Sequence, residues 1–131
     1  MTESREPMKV VCIEDESEMI DLVSLILRRQ RVQVIGALGG RRGMEKIESE
    51  EPDLVLLDLK MPVMNGWEVY RRMQASSKMR NIPVVVVTAM TKGYDEPSSW
   101  QNKRVDDYIV KPFKPLRLIE SVNKVLDPEL A

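Results

Sequence analysis

Short apolar runs rich in Val and Ile recur along the chain, at residues 9–13, 32–37, 54–57, 82–87 and 107–110. Each is too short for a helix, and the β-branched enrichment predicts about five strands. Between them the apolar period changes. Met19, Val23, Ile26 and Leu27 recur at helical spacing, as do Met44 and Ile47, Val69 and Met73, and Ile119, Val122 and Leu126. Near-continuous apolar strands need cover on both faces, which the crossover helices of a parallel sheet supply, so the predicted class is α/β with an open, doubly wound sheet. Residues 91–99 should hold the fourth helix, yet Gly93 and Pro97 suit a helix interior poorly. A short or mobile helix that starts late, with Pro97 in its first turn, is expected there.

Polar residues follow the apolar runs: Glu14-Asp15-Glu16 after the first, Asp58 after the third, Thr88-Ala89 after the fourth and Lys111-Pro112 after the fifth. A parallel sheet brings those ends to one edge, where carboxylates, a hydroxyl and an ammonium should converge in a shallow cleft. Two like charges about 4 Å apart repel by about 4 kcal/mol at an effective dielectric near 20. Lys111 alone does not balance Glu14, Asp15 and Asp58. The surplus hard oxygens suit Mg2+, which takes one or two carboxylates and keeps several waters. A carboxylate beside Mg2+ can act as nucleophile toward a phosphoryl group and form an aspartyl phosphate. Thr88 can then donate its hydroxyl to one phosphoryl oxygen and Lys111 can neutralise another, while small Ala89 leaves the group room to enter. Singly, each residue also has an ordinary explanation: a helix N-cap, a strand-end threonine, a Lys-Pro turn.

Composition narrows the picture. The 131 residues fit one domain, and 43% hydrophobic with 31% charged residues is the balance of a globular protein. A net charge of -1 gives no electrostatic footprint for nucleic acid or an anionic membrane. The basic clusters Arg28-Arg29-Gln30-Arg31 and Arg41-Arg42 are read as solvated helix ends. Cys12 is the single cysteine and sits in an apolar run, which predicts a buried, inert thiol and no internal disulfide. No apolar run approaches membrane-spanning length, and the polar N-terminus carries no leader pattern, so a cytoplasmic protein is expected.

Jointly, Ile13-Glu14-Asp15-Glu16, Leu56-Leu57-Asp58-Leu59-Lys60-Met61-Pro62 with Gly66 behind it, Val87-Thr88-Ala89 and Asp106-Asp107-Tyr108-Ile109-Val110-Lys111-Pro112-Phe113 resemble the receiver domain of two-component response regulators. The resemblance spans residues 8–126 and implies a flavodoxin-like sheet of strand order 2-1-3-4-5. It implies a single receiver domain over 1–131, with short polar tails and no output domain, that signals rather than turning over substrate. Asp58 would accept a phosphoryl group from a histidine kinase or phosphotransfer protein, beyond which only self-phosphorylation from small donors and self-dephosphorylation are expected. Asp15, Asp58 and the backbone carbonyl of Lys60 would bind Mg2+, with Glu14 in the outer shell holding water. Thr88 and Tyr108 would form the switch, Lys111 would contact the phosphoryl group, and the Lys111–Pro112 bond would be cis. The fourth helix, last strand and last helix would present the readout face to a downstream protein or a second copy, with no direct nucleic-acid partner and no membrane.

Lys60 and Met90 would tune loss of the phosphoryl group; apolar Met90 cannot orient an attacking water, so slow self-dephosphorylation is expected. The chain departs from many members in carrying Arg104-Val105 where they have Gly-Ala, which removes a glycine's freedom there. A haloacid dehalogenase-type phosphohydrolase would need a second acid where Lys60 stands. A flavin module would need a phosphate loop where Glu14-Asp15-Glu16 would repel one. A docking module that takes no phosphate would have no need of Asp58, Thr88 and Lys111 together.

Overall fold

The alternation of period becomes an alternation of elements in the computed structural model, which describes residues 7–89 and 105–127. In chain order these are β1 (Met8–Glu14), α1 (Ser17–Ile26), β2 (Val32–Leu38), α2 (Gly40–Glu50), β3 (Leu54–Leu57), α3 (Gly66–Gln74), β4 (Val84–Ala89), β5 (Asp107–Lys111) and α4 (Pro115–Leu126). The strands form one parallel sheet in the order β2-β1-β3-β4-β5, the doubly wound arrangement expected. The chain steps from β1 outward to β2, returns across β1 to β3 and continues the other way. Its order therefore reverses between β1 and β3, where the strand ends leave a crevice. The fourth helix expected around Pro97 lies outside the described residues, as do Met90 and Arg104; α4 is the last helix of the expectation. Among the described residues no helix is long and apolar enough to cross a membrane.

Successive strand residues point to opposite faces, and each face has its own core. Val11, Ile13, Val55 and Leu57 pack with Ile47 of α2 and with Val69 and Met73 of α3. Val10, Cys12, Leu54 and Leu56 pack on the other side with Val23 of α1 and with Leu118 and Val122 of α4. Every residue of β3 is buried. Each such Val or Leu contributes about 1.5–3 kcal/mol relative to exposure, so the central strands are held from both sides. Burial pushes the Cys12 thiol up from its ordinary pKa, with Glu14 adding to the shift, which keeps it protonated and inert.

Four strands run further than the apolar pattern predicts. Glu14 pairs with Leu38, Thr88 with Val110 and Ala89 with Lys111, all inside the ladder. Pairing belongs to the backbone, so a polar side chain ends the apolar run without ending the hydrogen bonding. At its other end β4 begins at Val84 rather than Ile82, because Pro83 has no N–H to donate.

The segment between β3 and α3 is closed tightly. A Cβ on Gly66 would stand 2.3 Å from the Asp58 carbonyl oxygen and 2.7 Å from the Leu59 Cα. Glycine alone lets α3 start against that backbone, where the Gly66 N–H donates to the Leu59 carbonyl at 3.0 Å. Within the same loop the Met64 N–H donates to the Pro62 carbonyl at 2.8 Å, closing a γ-turn around Val63, whose φ is 69°. That region is strained for a β-branched residue, and the Val63 side chain is fully exposed.

Charge ties β5 to α4. Arg117 donates to Asp107 Oδ2 at 2.9 Å and to Oδ1 at 3.1 Å, and the Ser121 hydroxyl donates to Oδ2 at 2.7 Å. The Tyr108 N–H also donates to Asp107, and the Tyr108 carbonyl accepts from Arg117. Burial acts to raise the Asp107 carboxyl, but the bonds from Arg117, Ser121 and the Tyr108 N–H outweigh it and hold its pKa at about 2.

Two expectations follow from this packing. Gly66→Ala should destabilise the protein by about 2 kcal/mol or more through overpacking against the Asp58 backbone, measured by urea unfolding; a loss under about 0.5 kcal/mol would show that the loop yields freely. A depressed carboxylate pKa stabilises the fold above the unfolded value near 4, and that contribution is lost as the pH falls toward about 2. Arg117 is 43% exposed, which screens the pair, so Asp107→Asn should lower stability by about 1–2 kcal/mol at neutral pH. The gap between the urea midpoints of the two proteins should narrow between about pH 4 and pH 2; a gap constant with pH would remove Asp107 as its cause.

Candidate functional site

Because β1 and β3 are neighbours at the point where the strand order reverses, their ends face each other across the crevice. Glu14 is the last residue of β1 and Asp58 directly follows β3. The Asp58 N–H donates to the Ile13 carbonyl at 3.1 Å, extending the pairing one residue past the strand. Its side chain is buried, as is that of Glu14, while Asp15 is open to solvent. One oxygen from each of Glu14, Asp15 and Asp58 lies within 4.8 Å of the others. From the far side of β4, Lys111 brings Nζ to 2.7 Å from Glu14 Oε2 and 3.6 Å from Asp58 Oδ2.

One ammonium thus faces two buried carboxylates and a third at the rim. Burial pushes the Glu14 carboxyl up, the hydrogen bond from Lys111 pulls it back and the charges of Asp58 and Asp15 add to the rise, which leaves it at about 7. Burial would lower Lys111, yet the bond to Glu14 and the field of Asp58 hold its pKa above the ordinary lysine value. The cluster is short of positive charge.

Among the described residues, two buried side-chain polar atoms have no hydrogen-bond partner, Glu14 Oε1 and Thr88 Oγ1. Each such group costs about 1–3 kcal/mol, and native structures keep them where a ligand completes the set. A hard divalent cation fits the oxygens of Glu14, Asp15 and Asp58. Thr88, fully buried near the end of β4, is followed by exposed Ala89, which pairs in register with Lys111.

The ordinary explanation of the acids fails here. Glu16 occupies the N-cap of α1 without a side-chain capping bond, and the N-cap of α3 is Asn65, which accepts from the Glu68 N–H at 3.0 Å. Glu14, Asp15 and Asp58 cap neither helix. The remaining predicted residues also find places: the Lys60 N–H donates to Asp58 Oδ1 at 3.2 Å, and the Lys111–Pro112 bond is cis. Tyr108, half-buried three residues before Lys111, packs against the core on the α2 and α3 side. Met90 lies outside the described residues. What the sequence reading missed is a groove of about 390 Å³ beside the cluster, lined by Asp15, Leu38, Arg41, Arg42, Val63 and Met64. No local pattern signals it, since its walls come from segments about twenty residues apart.

The family model for the response regulator receiver domain matches residues 10–123. The DNA-binding response regulator MtrA of Mycobacterium tuberculosis strain H37Rv is 32% identical over 114 residues, covering 87% of this chain and 48% of that protein. The chain spans about half the length of the curated relatives it matches. MtrA's DNA-binding name removes support from the expectation of no nucleic-acid partner, which rested on the net charge of this stretch alone. Among solved structures, the chemotaxis protein CheY4 of Vibrio cholerae superposes with a TM-score of 0.81 at 26% identity, covering 92% of this chain and 99% of its own. The receiver domain of the sensor histidine kinase PA1611 of Pseudomonas aeruginosa PAO1 shares the fold with a TM-score of 0.82 at 22% identity, covering 92% of this chain and 98% of its own, and holds a magnesium ion in its active-site cleft. With the acid cluster at the reversal of strand order and the family match over nearly its whole length, this chain belongs to the response regulator receiver domains of two-component systems.

Proposed function

We propose that Asp58 is the phosphoacceptor of a phosphorelay and that the chain signals by carrying the phosphoryl group rather than by turning over substrate. The observation that carries this reading is a buried carboxylate fixed at a strand end, with an ammonium 3.6 Å away and an unpartnered buried threonine hydroxyl on the neighbouring strand. In the transfer an Asp58 carboxylate oxygen forms a bond to phosphorus as the P–N bond of a phosphohistidine on a histidine kinase or phosphotransfer protein breaks. The imidazole leaves with the bonding pair and takes up a proton. Lys111 pairs with one phosphoryl oxygen and the Thr88 hydroxyl donates to another.

Asp15, Asp58 and the Lys60 carbonyl would hold Mg2+, with Glu14 reaching it through water. Bound there, Mg2+ offsets the negative charge that accumulates between the donor phosphoryl group and the carboxylates. Phosphorylation adds roughly one further negative charge and strong acceptor oxygens, a differential contact that biases Thr88 and Tyr108 toward a second arrangement. The face of β5 and α4, with the fourth helix expected before β5, would read that change out to a downstream protein or a second copy. Lys60 and Met90 are the tuning positions for loss of the group. A single receiver domain over 1–131, with a core of about 8–126, acting in the cytoplasm where ATP-fed kinases work, completes the reading.

Incubation with Mg2+ and phosphoramidate should add the mass of one phosphoryl group to the intact protein, and both EDTA and Asp58→Ala should abolish the gain. Free phosphate released from many unrelated monoesters would instead favour a phosphohydrolase, and no gain at all a docking module. Lys111 and Mg2+ compete as counter-charges for the same carboxylates, so Lys111→Met should tighten Mg2+ binding about tenfold by isothermal titration while slowing phosphoryl loading about a hundredfold. Weaker Mg2+ binding in that variant would contradict the competition.

A further inference from the structure

Three local costs converge on the two loops that flank the groove beside Asp58. The first is Val63, a β-branched residue held at a φ of 69° with a fully exposed side chain, so that no packing offsets the strain. The second is the pair Arg41 and Arg42 in the first turn of α2, where the helix dipole is positive. That turn has no acidic residue, Gly39 offers no side-chain cap, and neither arginine makes a hydrogen bond or ion pair among the described residues. The third is Leu38, apolar and 42% exposed at the end of β2. Gly40 locks the two loops together, since a Cβ there would stand 2.6 Å from the Met64 carbonyl oxygen. Asp15 forms part of the groove wall, which makes the groove continuous with the acid cluster.

Strain, exposed hydrocarbon and unpaired charge gathered on one surface are retained where a partner relieves them. We propose that this groove docks the phosphodonor protein, an inference that rests on Asp58 being the phosphoacceptor. The occupant is a protein surface that sets an apolar side chain against Val63 and Leu38 and carboxylates against Arg41 and Arg42, beside its phosphohistidine. Unpaired guanidinium groups take carboxylates in a bidentate fork and turn away basic surfaces, which fixes the charge of the partner. A free anion would have no use for the apolar pair. A second copy of this chain docked through a two-fold axis here would set Arg41 and Arg42 near their own counterparts, with like charges opposed. Continuity with Asp15 selects the donor over a downstream target, because a protein seated in the groove covers the approach to Asp58, as a donor must during transfer.

The test compares wild type, Val63→Gly and the double variant Arg41→Gln/Arg42→Gln. Each histidine kinase of the cell that makes this protein is autophosphorylated with ATP, and the one that loads wild type fastest serves as donor; phosphoramidate serves as the donor that needs no docking. Both variants should show kcat/KM for the kinase lowered about fivefold or more, through KM, with phosphoramidate loading within about twofold of wild type. The kinase KM of wild type should rise with salt, and that of the double variant should rise less. Val63→Gly should unfold at a urea concentration no lower than wild type, which separates lost docking from lost structure. Equal kinase rates in all three proteins would overturn the proposal, as would equal losses with both donors, or a chain that phosphoramidate loads and no kinase does. Failure of phosphoramidate to load wild type would instead remove the acceptor reading on which the proposal rests.

Discussion

The repulsion among Glu14, Asp15 and Asp58 is the constraint around which the molecule is built. Like charges about 4 Å apart repel by about 4 kcal/mol at an effective dielectric near 20, comparable to the burial of one or two core side chains. An isolated loop would spread such groups apart. Here they cannot spread, because Glu14 sits inside the β1 ladder and the Asp58 N–H is bonded to the Ile13 carbonyl. Hydrocarbon on both faces of β1 and β3 holds the backbone against the charges it carries. Lys111 answers part of the imbalance, from a strand that lies beyond β4.

Seen this way, the unpartnered atoms of Glu14 and Thr88 and the deficit of positive charge are one property. The fold stores an unfinished electrostatic arrangement, which on the proposed function a cation and a phosphoryl group would complete in different ways. On the proposed function the two ligands differ in what they ask of the protein. The cation would need the acids and the Lys60 carbonyl, whereas the phosphoryl group would add acceptors that involve Thr88 and Lys111. Those two residues lie on the adjoining strands β4 and β5, so a change at the site reaches the edge of the sheet through two consecutive ladders.

Much of this was legible in the sequence because it depends on period. The runs at 9–13 and 54–57 announced central strands, Val23, Leu27, Val69 and Met73 fell on buried helical stripes, and the charged residues after the first, third and fifth runs converged as a parallel sheet requires. Ladder extension through Thr88, Ala89 and Lys111 was invisible, since side-chain polarity says nothing of backbone pairing. The Asp107–Arg117 pair, the approach of Gly66 to the Asp58 backbone and the meeting of Gly40 with Met64 are tertiary, and no spacing rule encodes them. Arg41 and Arg42 do lie at a helix end, as read, but at the end where the dipole opposes them, and polarity of that kind appears only once the helix start is known.

The pair formed by Asp107 and Arg117 has a consequence beyond joining a strand to a helix. β5 is the last strand in the sheet order, and an edge strand normally offers free N–H and carbonyl groups on which another chain can build. At Tyr108 both groups are already taken, the N–H by Asp107 and the carbonyl by Arg117. The sheet is plugged at that point against growth by strand addition, so a molecule that meets Tyr108 finds side chains to recognise in place of open backbone.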